Sequence, residues 1–74
     1  VVSYSLVLYN DDVNTFDHVI NCLIRICCHD LIQAEQCAWL VHNRGKCNVK
    51  NGKLADLRKM LNSLTQSGLS AQIE

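Results

Sequence analysis

Neither an excess of charge of one sign nor a long hydrophobic run is present in this sequence. Seven Lys and Arg residues balance seven Asp and Glu residues, so the chain lacks the basic surface that nucleic-acid-binding domains typically carry. No apolar segment approaches the roughly 20 residues that cross a bilayer. We therefore expect neither nucleic acid nor a membrane as the partner of this protein.

A length of 74 residues also excludes a second domain. A domain of this size buries only about 60% of its unfolded surface, so its core is thin and a wide internal cavity is not expected. The sequence has no internal repeat, linker or recognisable signal peptide, and its first residue is Val rather than Met, which favours a trimmed chain. We treat residues 1–74 as a single domain whose binding site is a surface groove.

The number of cysteines is odd, which argues against a disulfide framework. Secreted disulfide-bonded domains normally have an even number of cysteines, whereas most of these five fall in stretches with a helical pattern. We interpret them as mainly buried, reduced thiols that pack like small hydrophobic residues: Cys22, Cys27, Cys28, Cys37 and Cys47. Reduced thiols are typical of the cytosol, so the expected location is cytoplasmic.

Apolar periodicity divides the chain into six elements. Alternating and β-branched segments predict strands over residues 1–9, 46–50 and 69–74, and apolar spacings of three and four predict helices over residues 15–28, 31–44 and 54–67. The expected buried helix faces are Phe16, Val19, Ile20, Leu23 and Cys27, then Leu31, Ala34, Ala38 and Val41, then Leu54, Leu57, Leu61 and Leu64. The order β-α-α-β-α-β predicts an α+β fold, a small three-stranded antiparallel sheet with three helices on one face.

Short polar residues and glycines mark the boundaries of these elements. Asn14 or Thr15 is placed to cap the first helix. Asp30 begins a near capping box for the second helix, which Gly45 ends. About two residues separate these helices, which predicts an αα-hairpin. The Asn-Gly pair at positions 51 and 52 predicts a turn before the third helix.

Polar acceptors cluster where the first strand should end. Asn10, Asp11 and Asp12 favour a turn, because their side chains bond nearby backbone groups. One interpretation is a capped strand-to-helix turn, and the other is a set of acceptors for a cationic group. His42 lies near the end of the second helix on one patch with Ala38 and Val41, and the acceptors would reach it if the hairpin packs on the sheet. This packing predicts a shallow apolar pocket with acceptors at its rim.

The Cys and His residues offer two alternatives, a zinc site and a Cys–His nucleophile. Structural zinc sites use paired ligands at short spacing, whereas Cys27 and Cys28 are adjacent and face different sides of a helix. A Cys–His enzyme needs an activated thiol, a base and an oxyanion hole, and nothing in the sequence marks Cys47 or His42 as activated. We expect no metal, no cofactor and no catalytic residue.

Two motifs together resemble the Clp protease adaptor family, ClpS. They are Asn-Asp-Asp after an apolar strand, followed by Phe16 and Val19, and Val-His followed by Gly-Lys at positions 41, 42, 45 and 46. The spacing between the motifs matches, and the resemblance covers residues 5–74. It implies the fold of the C-terminal domain of a ribosomal stalk protein. It also implies recognition of destabilising N-terminal residues of proteins (N-degrons: Leu, Phe, Tyr, Trp). The family hands the proteins that carry them to a Clp unfoldase for degradation.

The resemblance also implies roles for individual residues. Asn10, Asp11, Asp12 and His42 would hold the free α-amino group of the substrate through charge-assisted hydrogen bonds. The hydrophobic pocket would be lined by Leu8, Asn14, Phe16, Val19, Ile20, Ala38 and Val41. Many family members carry Met at the position of Ala38, so we expect a wider pocket that also admits Ile and Val.

The sequence departs from the family pattern in two places. Val-Asn-Thr at residues 13–15 replaces the commoner aromatic-Thr-Pro turn, and residues 48–53 replace a Gly-Val-aromatic-Thr segment. Family members contact the N-terminal domain of the unfoldase near that second segment. The expected partners are an N-degron peptide or protein and a Clp AAA+ unfoldase, bound by a monomer. The rival hypothesis is a structural interaction module of the ribosomal-stalk type that lacks the pocket.

Overall fold

The computed structural model describes residues 3–10 and 14–74. Its elements follow the order β1 (Tyr4–Tyr9), α1 (Phe16–Ile26), α2 (Leu31–Arg44), β2 (Lys46–Gly52), α3 (Leu54–Gln66) and β3 (Ser70–Ile73). This order confirms the predicted α+β fold. Asp11 and Asp12, predicted to bind an amino group, lie outside the described residues, as do the first two residues of the predicted first strand.

The first strand is the centre of the sheet. The strand order is β2-β1-β3, and β1 is antiparallel to both neighbours. Reciprocal backbone hydrogen bonds between Ser5 and Glu74, of 2.8 and 2.7 Å, extend the pairing with β3. Leu6 and Leu8 are 0% and 1% exposed and pack in a core with residues of all three helices, as the alternation of side chains along a strand requires.

The helix caps form as the sequence predicts. The Thr15 Oγ1 atom accepts a hydrogen bond from the His18 amide at 3.2 Å at the start of α1. The Asp30 Oδ1 atom accepts one from the Gln33 amide at 2.7 Å at the start of α2. Gly45 ends α2 in the left-handed conformation, with φ of 89°. These bonds satisfy backbone groups that a helix end leaves without partners.

Two residues predicted to be buried are exposed instead. Leu31 is 57% exposed, because the stripe of α2 that packs on the core begins one turn later, at Ala34. Phe16 is 42% exposed at the first position of α1, where the helix has only begun to pass over the core. The remaining predicted helix-face residues are buried or half-buried.

The connection between α1 and α2 is longer than predicted. It consists of four residues, 27–30, rather than about two. His29 is only 5% exposed, and its Nε2 atom donates a hydrogen bond to the Val49 carbonyl at 2.7 Å. This bond fixes the connection against β2.

The predicted turn at Asn51 and Gly52 is wrong, because both residues belong to β2. They pair with Ser5 and Tyr4 of the central strand. The Ser5 hydroxyl also donates to Asn51 Oδ1 at 2.9 Å. Pairing with a distant strand therefore outweighs the local turn preference of the Asn-Gly dipeptide.

Candidate functional site

A small depression lies between the start of α1, the last turns of α2 and the end of β1. Its volume is about 20 Å³, and its lining residues are Asn10, Asn14, Phe16, Val19, Ala38, Val41 and His42. Every one of these residues is in the predicted site. The structure thus brings together residues from both sequence motifs around one opening.

Asn10 reaches the depression because β1 and β2 are paired. Tyr9 lies opposite Lys46 in the sheet, so β1 ends beside the point where α2 gives way to β2. The Asn10 amide then donates a hydrogen bond to the Gly45 carbonyl at 2.9 Å. This bond holds Asn10 next to the C-terminal end of the helix that carries His42.

His42 is an exposed residue in the last turn of α2. Its ring is nearly perpendicular to the Phe16 ring, with an interplanar angle of 86° and 6.4 Å between the ring centroids. A neutral imidazole offers one acceptor nitrogen. The C-terminal end of a helix carries partial negative charge, which also favours a cationic group there.

The inner wall of the depression is apolar. Ala38 and Val41 are 2% and 4% exposed, and Val19 packs partly against the core. Phe16 forms the outer wall. An opening with an apolar wall on one side and Asn10 and His42 on the other suits a ligand that joins an apolar group to a small polar one.

Asn14 connects the rim of the depression to the segment between α3 and β3. Its Nδ2 atom donates a hydrogen bond to the Gly68 carbonyl at 2.7 Å. One helical turn later, the His18 Nε2 atom donates to the Ser67 carbonyl at 2.8 Å. Two adjacent carbonyls between α3 and β3 therefore anchor the start of α1, a contact that no local sequence pattern indicates.

Two predicted pocket residues do not line the depression. Leu8 points into the core with Leu6, because both lie on the same face of β1. Ile20 is half-buried and packs against the core, since a rotation of about 100° per residue carries it away from Val19. The assignment of Leu8 and Ile20 to the hydrophobic pocket stays a prediction that this opening does not include.

A second, larger opening shares the Phe16 side chain with the depression. It has a volume of about 350 Å³ and is lined by Phe16, Ile32, Glu35, Gln36 and Trp39; we refer to it as the α2 groove. This groove was not predicted from the sequence. The available signal was the pair Ile32 and Trp39, whose seven-residue spacing places both on one side of a helix.

Comparison with known proteins identifies the family. The model of the family described as ATP-dependent Clp protease adaptor protein ClpS matches residues 2–72. The chain belongs to the ClpS family. Among solved structures, this ClpS chain is similar to Agrobacterium tumefaciens ClpS2 bound to L-phenylalaninamide, with a TM-score of 0.84 and 17% identity, over 97% of this chain and 94% of that chain. The structural likeness confirms the predicted fold, and the family match confirms the predicted resemblance.

The cysteines of this ClpS chain are free thiols, and four of the five are buried, with Cys28 exposed. Burial raises the pKa of Cys27 to about 11 and that of Cys47 to about 12. Such thiols are protonated near neutral pH and are weak nucleophiles. This property disfavours the alternative in which Cys47 attacks a substrate with His42 as its base.

Over residues 3–10 and 14–74, no group of three or more His, Cys, Asp or Glu side chains is arranged to hold a metal ion. None of the helices in those ranges has the length and apolar character needed to cross a bilayer.

Proposed function

We propose that this chain is a non-enzymatic adaptor that binds the destabilising first residue of a protein substrate and delivers that substrate to a Clp AAA+ unfoldase. The first residues expected to bind are Leu, Phe, Tyr and Trp, and also Ile and Val. The observation that carries the proposal is the convergence of Asn10 and His42 with an apolar wall at one depression. Membership of a protease adaptor family supports it, as does a relative of the same fold bound to L-phenylalaninamide, which joins a free amine to an apolar side chain.

In the proposal, the α-ammonium group of the substrate lies at the polar side of the depression. An ammonium group has three donors and needs acceptors around it. The side-chain oxygen of Asn10 and a neutral His42 nitrogen supply two, and Asp11 supplies a carboxylate whose hydrogen bond is charge-assisted. By the family motif, Asp12 is assigned the second acidic position. The C-terminal end of α2 contributes in the same direction.

The first side chain of the substrate enters the apolar side, and Phe16 has to move to admit it. An opening of about 20 Å³ holds about one water molecule, whereas a Leu side chain has four carbon groups, each about the size of a water. The Phe16 ring is 42% exposed and adjoins the open α2 groove. Rotation of the ring towards that groove would enlarge the depression without disturbing the core.

The remaining parts of the proposal concern partners and location. The substrate is an N-degron peptide or protein, and the second partner is the N-terminal domain of the unfoldase. The chain acts as a monomer in the cytoplasm, without metal or cofactor. Buried thiols of raised pKa favour the reducing compartment that this location provides.

The test compares a fluorescent peptide that begins with Leu with its N-acetylated twin, by fluorescence anisotropy. Acetylation removes the charge and leaves the acceptors without a full partner, at a cost of about 1.5–3 kcal/mol, which corresponds to roughly 10- to 150-fold weaker binding. His42→Ala and Asp11→Ala should weaken binding of the free peptide. The matched control is Asn43→Ala, since Asn43 is exposed beside His42 and does not line the depression.

The outcomes separate the adaptor from its rival. Equal affinity for the free and acetylated peptides would refute the adaptor proposal and favour a structural module of the ribosomal-stalk type. Normal binding by both His42→Ala and Asp11→Ala would show that the amine site is misplaced. Delivery is measured separately, as faster degradation of a Leu-initiated substrate by a reconstituted Clp protease when the chain is added.

A further inference from the structure

We infer that the α2 groove binds the second to fourth residues of the same N-degron peptide and favours apolar or aromatic side chains at those positions. This inference rests on the proposed function, because it needs the first residue to be held in the neighbouring depression. It extends the recognised feature from one residue to a short segment.

The first support is the concentration of exposed apolar surface. The large hydrophobic side chains exposed in the described part of the chain are Phe16, Leu31, Ile32 and Trp39, and three of these four line the α2 groove. Ile32 and Trp39 are 69% and 53% exposed. Clustered apolar surface of this kind marks binding sites, whereas isolated exposed hydrophobic residues need no explanation.

The second support is continuity between the groove and the depression. Phe16 lines both openings, so a peptide whose amine lies at His42 has the α2 groove as its immediate neighbour. Ile32 precedes His42 by ten residues of the same helix, a distance of about 15 Å at 1.5 Å per residue. An extended peptide covers this distance with about four residues.

The third support is the chemistry of the lining. Ile32 and Trp39 offer apolar faces, while the Gln36 amide can donate to or accept from a peptide backbone. Glu35 is the charged member of the described lining. Its carboxylate would repel an acidic side chain and tolerate a basic one. The occupant that fits is therefore an extended, apolar and non-acidic peptide segment.

The test compares two free-amine peptides that both begin with Leu. Positions two to four are Ala in the first peptide and Phe or Leu in the second. Binding of an aromatic side chain against Trp39 is expected to tighten affinity about 3- to 10-fold, from a contact energy of about 0.5–1.5 kcal/mol. Trp39→Ala and Ile32→Ser should each reduce this ratio towards one. Leu31→Ser is the matched control, because Leu31 is an exposed apolar residue of α2 outside the groove.

The intrinsic fluorescence of the protein gives a direct second reading. Trp39 is the single tryptophan of the chain, so its emission should shift to shorter wavelength with the apolar peptide and change little with the Ala peptide. A shift with both peptides, or with neither, would overturn the inference.

Failure of the inference can be distinguished from failure of the proposed function. If free peptides bind better than acetylated ones but the affinity ratio is the same in wild type, Trp39→Ala and Leu31→Ser, the depression functions and the groove does not contact the substrate. If neither free peptide binds, both proposals fail. If light scattering shows a dimer that Trp39→Ala dissociates, the groove is occupied by a second copy and the inference is refuted.

Discussion

Phe16 determines how much room the depression offers beside Ala38. Ala38 is 2% exposed, yet the open space next to it is only about 20 Å³. The Phe16 ring lines that space and makes a perpendicular contact with His42. We therefore expect Phe16 to limit the room beside Ala38, rather than Trp39, which lines the α2 groove.

The informative perturbation is Ala38→Met. Methionine adds several heavy atoms where one water molecule fits, and overpacking costs about 1–3 kcal/mol. Displacing the Phe16 ring instead loses its contact with His42, at about 0.5–1.5 kcal/mol. Because the ring is partly exposed, displacement is the cheaper response, and we expect the variant to fold with about 1 kcal/mol lower free energy of unfolding.

The effect on binding should depend on the shape of the first residue. A β-branched side chain is widest beside its own Cα atom, close to the bound amine, and Met at position 38 would occupy that space. One methylene in an apolar pocket is worth roughly 10- to 200-fold, so Ala38→Met should raise the preference for Leu over Ile by about tenfold or more. Phe16→Ala should act in the opposite direction, because Ile then enters without displacing a ring.

The assay is fluorescence anisotropy with Ile- and Leu-initiated peptides on wild type, both single variants and the double variant. Residues in contact normally show coupling energies of about 0.5–3 kcal/mol, so the effects of the two substitutions on Ile binding should not add. If wild type and Ala38→Met both fail to bind the Ile-initiated peptide while Phe16→Ala binds it, the Phe16 ring cancels the room gained from the small Ala38 side chain. Equal loss of Ile and Leu affinity in Ala38→Met would refute the steric reasoning.

Two further predictions concern stability. Burial raises the pKa of Cys47 from 9.0 to about 12, so the unfolded chain loses this proton first. The contribution of Cys47 to the free energy of unfolding in urea should therefore be fully present below pH 9 and be lost between pH 9 and 12, by at most about 1.4 kcal/mol per pH unit. Cys27, whose pKa is raised to about 11, adds a separate loss over the lower part of this window. Cys47→Val should reduce the slope of the unfolding free energy against pH, whereas the exposed-thiol control Cys28→Ser should leave it unchanged. An unchanged slope in Cys47→Val would contradict the raised pKa of Cys47. Gly45→Ala should cost about 1–2 kcal/mol in the same assay because φ is 89° there, and a neutral effect would show that the end of α2 relaxes easily.

Local signals in the sequence predict the elements of this fold well. The caps at Thr15 and Asp30 and the terminating Gly45 depend on bonds within a few residues, and all three form as predicted. The order of strands and helices follows from apolar periodicity. Such features are encoded over short distances, so a single sequence is sufficient to recognise them.

The errors occur where distant parts of the chain decide the outcome. Asn51 is in a strand because β1 lies beside it, although its local sequence favours a turn. Leu31 is on the predicted face of α2, but periodicity gives the direction of a side chain and not the point at which the core ends.

The candidate site also combines features that the sequence predicts with features that depend on tertiary packing. The family motif correctly places Asn10 and His42 at one opening, because a spaced motif carries information about tertiary structure. No motif indicates that Phe16 would stand between two openings, since that position depends on how α1 packs against α2.

The location of Phe16 links the two surfaces energetically. Because Phe16 lines both openings, we expect a rotation of its ring that enlarges the depression to narrow the α2 groove. A large first side chain therefore leaves a narrower groove with an additional apolar wall beside Trp39. The free energies from the first residue and from the following residues will consequently not add, because both depend on the position of one ring. Under the proposed function, the first few residues of the substrate would together determine its affinity, and peptides that vary the first residue alone would describe only part of the specificity.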